Sequence, residues 1–259
     1  PNQKGSEWER PINVEYIDPS GGAGFTANAG LRIHGQASRR PKRTPKHSFR
    51  VYFKSSYGDS KLNFSLFDAK GDRFDPVSSF DRLVIRNGGN RSWPYWDRDQ
   101  RREVDYVNDQ WARDAALEMG SLTSHGTPVQ LYLNGKYWGI YNTSERLDEK
   151  FYASYLGVDE TNLDVVTADE DLGDIPVADP GTLDAFNELF DLVAGSGDIS
   201  DATYETLASK IDMVDFADYM VITHYIGKTD WPNHNYNAYR VREGADTRFK
   251  FSMWDADSG

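Results

Sequence analysis

The side chains best suited to chemistry stand near the end of the chain. Residues Asp230 to Arg240 read Asp-Trp-Pro-Asn-His-Asn-Tyr-Asn-Ala-Tyr-Arg, and Phe249 to Asp257 read Phe-Lys-Phe-Ser-Met-Trp-Asp-Ala-Asp. Asn237–Val241 and Arg248–Met253 have the composition of strands, with Glu243-Gly-Ala-Asp246 as a turn between them. In an antiparallel hairpin the start of the first strand and the finish of the second lie at the same end. Asn235 and Asp255, twenty residues apart, should therefore meet, with Asp230 on the loop just before them. Asp and Asn oxygens are hard ligands for Mg²⁺ or Mn²⁺, which take one or two such side chains together with water and phosphate oxygens. A carboxylate that stays off the metal can orient or deprotonate a hydroxyl. Phosphoryl transfer uses this set, because its catalysis is mostly positioning and charge neutralisation.

The spacing sharpens that reading. Protein kinases place an Asp and an Asn five positions apart in the catalytic loop and a metal-binding Asp further on. Asp230, Asn235 and Asp255 repeat that order, although Thr229 stands where ordinary kinases have an Arg. The plainer alternative is that Asp230 and Asn235 cap turns, as these residue types often do.

The elements that must hold these residues change character along the chain. Ile12, Val14 and Tyr16 alternate with Asn13 and Glu15, the period of a half-buried strand. Short strands follow at Leu31–Ile33, Ser48–Phe53 and Leu83–Ile85, the last stopped by Asn87-Gly-Gly-Asn90. Val104–Met119 reads as a helix ending at Gly120, with Val104, Val107, Trp111, Ala115 and Leu117 on one apolar face. Val129–Leu133 and Tyr137–Tyr141 flank Asn134-Gly135, the strongest short hairpin signal. From Leu147 the spacing turns helical, at Phe151–Leu156, Leu183–Val193, Tyr204–Ile211 and Val214–Ile226, with Asp169–Pro180 as an acidic exposed loop. The expected fold is α+β and two-lobed: a mainly β lobe with one helix over residues 1–147, then a mainly helical lobe over 148–259.

Composition bounds the partners. Of 259 residues 38% are hydrophobic and 14% aromatic, enough for a real core. The formal net charge is −12, from 29 basic and 41 acidic residues, so nucleic acid and anionic membranes are repelled at long range. No apolar run approaches the ~20 residues of a membrane span. With no cysteine, disulfides, thiolate metal sites and Cys nucleophiles are excluded. The charge is uneven: Arg32, Arg39, Arg40, Lys42, Arg43, Lys46, Arg50 and Lys54 share a segment without an acid. That zone suits a compact anion such as a polyphosphate, or it is a solvated hairpin loop. The first ten residues do not read as a signal peptide, and the missing Met suggests a mature form or an excised piece.

Taken together, these residues resemble the spore-coat protein H (CotH) kinase family, an atypical branch of the protein-kinase fold. The markers are Gly30-Leu-Arg-Ile-His-Gly-Gln-Ala-Ser-Arg39, Pro45-Lys-His-Ser-Phe-Arg-Val-Tyr-Phe53, and Leu131-Tyr-Leu-Asn-Gly-Lys-Tyr-Trp-Gly-Ile-Tyr141 followed by Glu145-Arg-Leu-Asp148. Asp230 to Asn235 and Trp254-Asp255-Ala256-Asp257 complete the set. The resemblance implies a secreted, cell-surface or spore-coat bacterial protein, a monomer, that binds ATP with Mg²⁺ or Mn²⁺ and phosphorylates Ser or Thr of a protein substrate. By motif position Asp230 is the catalytic Asp, with Asp255 beside it. Asn235, Asp255 and Asp257 are the metal ligands, and Lys46 is the phosphate-contacting Lys. Ser38 and Arg39 of the loop after Gly35 join the phosphate contacts, in place of the usual run of glycines. Glu145 is the acid at the junction of the lobes, and Asp109 is the helix acid that pairs with the lysine. An ordinary kinase continues well beyond the point four residues past Asp255 where this chain stops, so a truncated second lobe is expected.

Other readings use the same residues differently. The five histidines have no metal-ligand spacing, and only His234 falls inside the candidate site. Trp93, Trp96 and Trp231 suit core or lobe packing better than sugar stacking. A hydrolase using Asp255 and Asp257 needs a sugar cleft between them. The main alternative is a non-catalytic surface or coat module that keeps the fold as a binding scaffold.

Overall fold

A computed structural model describes residues 5–35, 37–89, 92–169, 175–194 and 198–257. The fold is α+β, with antiparallel sheets and, among the described residues, five α-helices. It divides into two compact units: Pro1–Lys70, Asp75–Tyr106 and His125–Arg146 in the first; Gly71–Phe74, Val107–Ser124 and Leu147–Gly259 in the second. No helix among the described residues is long and apolar enough to cross a membrane.

The first unit is built on six antiparallel strands: β1 (Arg10–Tyr16), β2 (Phe25–His34), β3 (Ser48–Tyr52), β6 (Arg82–Arg86), β7 (Gly126–Leu133) and β8 (Lys136–Glu145). Their order is β1-β2-β3-β6-β8-β7, and β4 (Leu62–Asn63) pairs with β5 (Ser79–Phe80) apart from them. Ala29, Val51, Phe53, Leu62, Phe67, Phe80 and Leu83 form the core against one face. Asn134 and Gly135 take φ values of 50° and 77°, the left-handed pair that a two-residue hairpin needs. At Gly30 the constraint is space: a Cβ there would lie 2.7 Å from the Glu9 carboxyl carbon and 2.7 Å from the Tyr57 ring. The carboxylate itself takes Arg32 (2.7 Å), Lys54 (2.9 Å) and the Tyr57 hydroxyl (3.0 Å).

The second unit carries a four-stranded antiparallel sheet in the order β10-β9-β11-β12, formed by β9 (Leu163–Asp169), β10 (Ile175–Ala178), β11 (Asn237–Val241) and β12 (Lys250–Ser252). The helices are α1 (Asn108–Glu118), α2 (Glu149–Leu156), α3 (Asp184–Val193), α4 (Asp201–Lys210) and α5 (Met213–Tyr225). Asp148 caps α2 by accepting from the amides of Lys150 and Phe151, and Ser200 caps α4 at Thr203.

Three expectations change here. The sequence suggested only the last hairpin after Leu147, whereas β9 and β10 double that sheet. β10 takes up part of the stretch read as an acidic loop, of which residues 170–174 lie outside the described set. Helix α1 starts at Asn108 rather than Val104, because Tyr106 takes φ 58°, which no helix continues through. Its buried face is Asp109, Ala112, Arg113, Ala116 and Leu117, not the face carrying Val107 and Trp111. A buried Asp–Arg pair replaces the apolar stripe that the spacing suggested.

Candidate catalytic and metal-binding site

The hairpin β11–β12 pairs Asn237 with Ser252 and Tyr239 with Lys250, so the chain approaching Asn237 and the chain leaving Ser252 lie at one end. Hydroxyls fix that end. The Tyr152 hydroxyl on α2 lies 2.8 Å from Asn237 Oδ1 and 2.9 Å from Ser252 Oγ. Ser252 donates to the Leu122 carbonyl, and Thr123 donates to the Met253 carbonyl, each at 2.6 Å. The segment after α1 is thereby stitched to the strand that leads to Asp255.

Two residues next to this end take left-handed backbone: Asn235 with φ 59° and Asp255 with φ 53°. For residues with a Cβ this conformation is costly and local contacts must hold it. The Lys228 Nζ donates to the carbonyl of Asn235 and to the carbonyl of Trp254, each at 2.6 Å. Lys228 is 7% exposed. Burial pushes its ammonium down to about 8, against the opposing pull of Asp255, Asp109, Asp257 and Asp230. Four carboxylates thus bear on one buried amine.

Asp230 lies two residues beyond Lys228 and is partly exposed. One of its oxygens accepts from Asn235 Nδ2 at 2.9 Å, and the other bonds to His234 Nε2. His234 is therefore a direct neighbour of the candidate base. With its nitrogen on Asp230, Asn235 keeps its Oδ1 for another partner. Asp109 faces the opposite side of the turn: its Oδ1 accepts from the Ala256 amide at 3.0 Å, and its Oδ2 stands 3.1 Å from Arg113. Arg113 is fully buried and also donates to Ser124 and Gln110.

The donor set of Asn235, Asp255 and Asp257 is all hard oxygen, which suits Mg²⁺ or Mn²⁺ in company with phosphate oxygens. Among the described residues no group of three or more His, Asp or Glu side chains is disposed to hold a metal ion unaided.

The remaining sequence-derived candidates belong to the first unit. Ser38 and Arg39 sit in a 3-10 turn, Ala37–Arg39, of which Gln36 just before lies outside the described residues. The Ser38 carbonyl meets His47 Nδ1 at 3.2 Å, and Arg39 donates to the Ile33 carbonyl at 3.3 Å. Lys46 lays its Nζ over the Tyr141 ring, 5.1 Å from the centroid, and close to Gly139. Burial lowers the Lys46 ammonium below its ordinary value. The His47 contact ties the Ser38 turn to the residue that follows Lys46. Glu145 is placed differently from a carboxylate open to ligand: it is 3% exposed and accepts from both the backbone amide and the ring of His125, each at 2.9 Å.

Two features escaped the sequence reading. Lys228 carries no motif, because its partners are main-chain carbonyls distant in sequence. The only signal was a Gly-Lys step just after an apolar helix and two residues before Asp230. The second is His34, which accepts from Arg50 at 2.9 Å. Burial, then Arg50, Arg86, Arg146 and Arg39, hold its ring neutral, well below the ordinary histidine range. The basic segment is therefore divided in use: Arg32 and Lys54 serve Glu9, while Arg39 and Arg50 gather about His34.

A family model described as CotH kinase protein matches residues 31–259. No curated protein matches the chain.

Proposed function

Because the chain belongs to the CotH kinase family, we propose that it is an ATP- and divalent-metal-dependent protein Ser/Thr kinase acting on a surface or coat protein. The observation that carries this reading is the gathering of Asp230, Asn235 and the Asp255–Asp257 turn about Lys228. Asp230 accepts the proton of a Ser or Thr hydroxyl. The hydroxyl oxygen forms a bond to the γ-phosphorus as the bond to the bridging oxygen breaks, and ADP leaves. His234 and Asn235 hold the Asp230 carboxylate from two sides, which fixes the direction in which it accepts. Asn235, Asp255 and Asp257 would hold Mg²⁺ or Mn²⁺, which would supply positive charge to the transferred phosphate.

Residues 1–147 supply the nucleotide-binding lobe in this reading, with Lys46, Ser38 and Arg39 on the phosphates, and residues 148–259 supply the catalytic loop and metal hairpin. The buried Glu145, held by His125, shapes the end of β8, and Asp109 supports the Asp255 turn. The protein acts as an exported monomer. The test is calorimetry with ATP and Mn²⁺ beside phosphate incorporation into a Ser-rich acceptor. Asp230→Ala should cut turnover about 100- to 10,000-fold, the usual worth of a positioned acid or base, with nucleotide affinity nearly intact. Asp255→Ala should weaken nucleotide binding as well. Equal and mild effects of both overturn the roles. A wild-type chain that binds no nucleotide favours a non-catalytic scaffold of the same fold.

A further inference from the structure

Asp255 is held by both of the peptide planes that flank it. The plane before it offers the Trp254 carbonyl, taken by Lys228 Nζ at 2.6 Å. The plane after it offers the Ala256 amide, taken by Asp109 Oδ1 at 3.0 Å. Those two planes define φ and ψ at Asp255, so both dihedrals are fixed from outside, at a φ of 53° that a residue with a Cβ rarely adopts. The same Nζ takes the Asn235 carbonyl, the plane that follows the second left-handed residue. One amine therefore bonds to the backbone beside both residues read above as ligands of the ion.

The residue type fits the task. An ammonium offers three donors on a compact centre and can reach two carbonyls that do not share a plane. A guanidinium fork is flat, and a neutral amide has fewer donors. Carbonyl oxygens carry no formal charge, so a buried ammonium needs counter-charge nearby. Asp255, Asp109, Asp257 and Asp230 supply it. Asp109 is steadied in turn by the fully buried Arg113 at 3.1 Å.

We propose that Lys228 is a positioning residue: by bridging the Asn235 and Trp254 carbonyls it sets the left-handed backbone that aims the Asn235 and Asp255 side chains at a shared divalent cation. The proposal rests on reading those two side chains as cation ligands, and its test separates the two ideas. Lys228→Met keeps the length and apolar stem and removes the charge and donors. The full chain and the variant are compared by calorimetry with Mn²⁺ and ATP, by thermal unfolding, and by hydrogen–deuterium exchange. The expected result is a folded variant with at least tenfold weaker Mn²⁺–ATP binding. Exchange should be faster in peptides covering 233–237 and 253–257 and unchanged in β1–β3. Wild-type affinity in a folded variant overturns the proposal. If the wild-type chain binds no Mn²⁺–ATP, the kinase reading fails and exchange alone decides: a rise confined to the two segments supports the bridge, and no rise or a uniform one overturns it. If the variant does not fold, the wild-type chain labelled at lysine nitrogen and carbonyl carbon decides. Hydrogen-bond scalar coupling from one Nζ to the carbonyl carbons of Asn235 and Trp254 supports the bridge, and its absence overturns it.

Discussion

Glu9 in the first unit and Lys228 in the second are both charges withdrawn from water, and they are satisfied in opposite ways. Glu9 has a side chain 5% exposed and is held by side chains: Arg32, Lys54 and the Tyr57 hydroxyl. Burial alone would raise its carboxyl, but the bonds from Lys54, Arg32 and Tyr57 outweigh that and lower it. Lys228 is held by main-chain carbonyls, its counter-charges bear on it without a direct bond, and burial wins, so its ammonium is lowered. A charge paired with side chains secures the contact between strands and leaves backbone dihedrals to the ladder. A charge bound to main chain dictates dihedrals, and it does so where the backbone departs from ordinary geometry. The first arrangement suits a scaffold and the second suits a site.

That contrast predicts separable losses. Glu9→Ala strands Arg32 and the Tyr57 hydroxyl without their acceptor, and should cost about 1–3 kcal/mol in urea unfolding. Nucleotide affinity should stay within twofold of wild type, and a tenfold loss of affinity would break the division between scaffold and site. Lys46 is an intermediate case, a cation of the first unit resting on an aromatic face. Lys46→Met should leave the unfolding midpoint nearly unchanged and weaken ATP binding about tenfold, ~1.4 kcal/mol. A loss of stability without a loss of affinity would move Lys46 to the scaffold side.

The smallest effect is in pH. Glu9 has a lowered carboxyl in the folded chain, so the unfolded chain binds its proton first as pH falls. Its contribution is complete above the unfolded value, near 4.3 to 4.5. It disappears as pH falls through the lower folded value. Unfolding free energies of wild type and Glu9→Gln, from urea titrations, should differ most at pH 6–7 and converge as pH falls through the lowered folded value. A constant gap at every pH would mean that Glu9 acts through shape rather than charge.

What the sequence revealed follows the same line. The hairpin that brings the chain after Asn235 and the chain before Asp255 to one end was legible because strand pairing follows from spacing, and Asn134-Gly135 because a two-residue turn needs particular residues. Lys228 was not legible, since a main-chain carbonyl leaves no mark on residue type. Strand β9 was hidden for another reason. Leu163 to Val166 are all buried, so the alternation of a half-buried strand is absent, and the polar Asp164 among them is neutralised by Arg240 at 2.7 Å, far away in sequence. Helix α1 was found but misjudged at its start and its face, because Asp109 and Arg113 are polar residues facing inward as a pair.

The crowding at Gly30 has a consequence for descent. Gly30 carries no positive φ, so its backbone would accept a larger residue; what forbids one is the Glu9 carboxyl and the Tyr57 ring parked where a methyl would go. Positions 9 and 30 therefore draw on a single allotment of volume. While the carboxylate is kept, alanine at 30 is an error; once position 9 shrinks, the Tyr57 ring loses the bond that holds it there and can move into the vacated space, and alanine at 30 becomes an improvement, since it stiffens the strand. A lineage can cross from one pairing to the other only by way of a weakened intermediate. In sequences that have made the crossing, the two residues should have changed together.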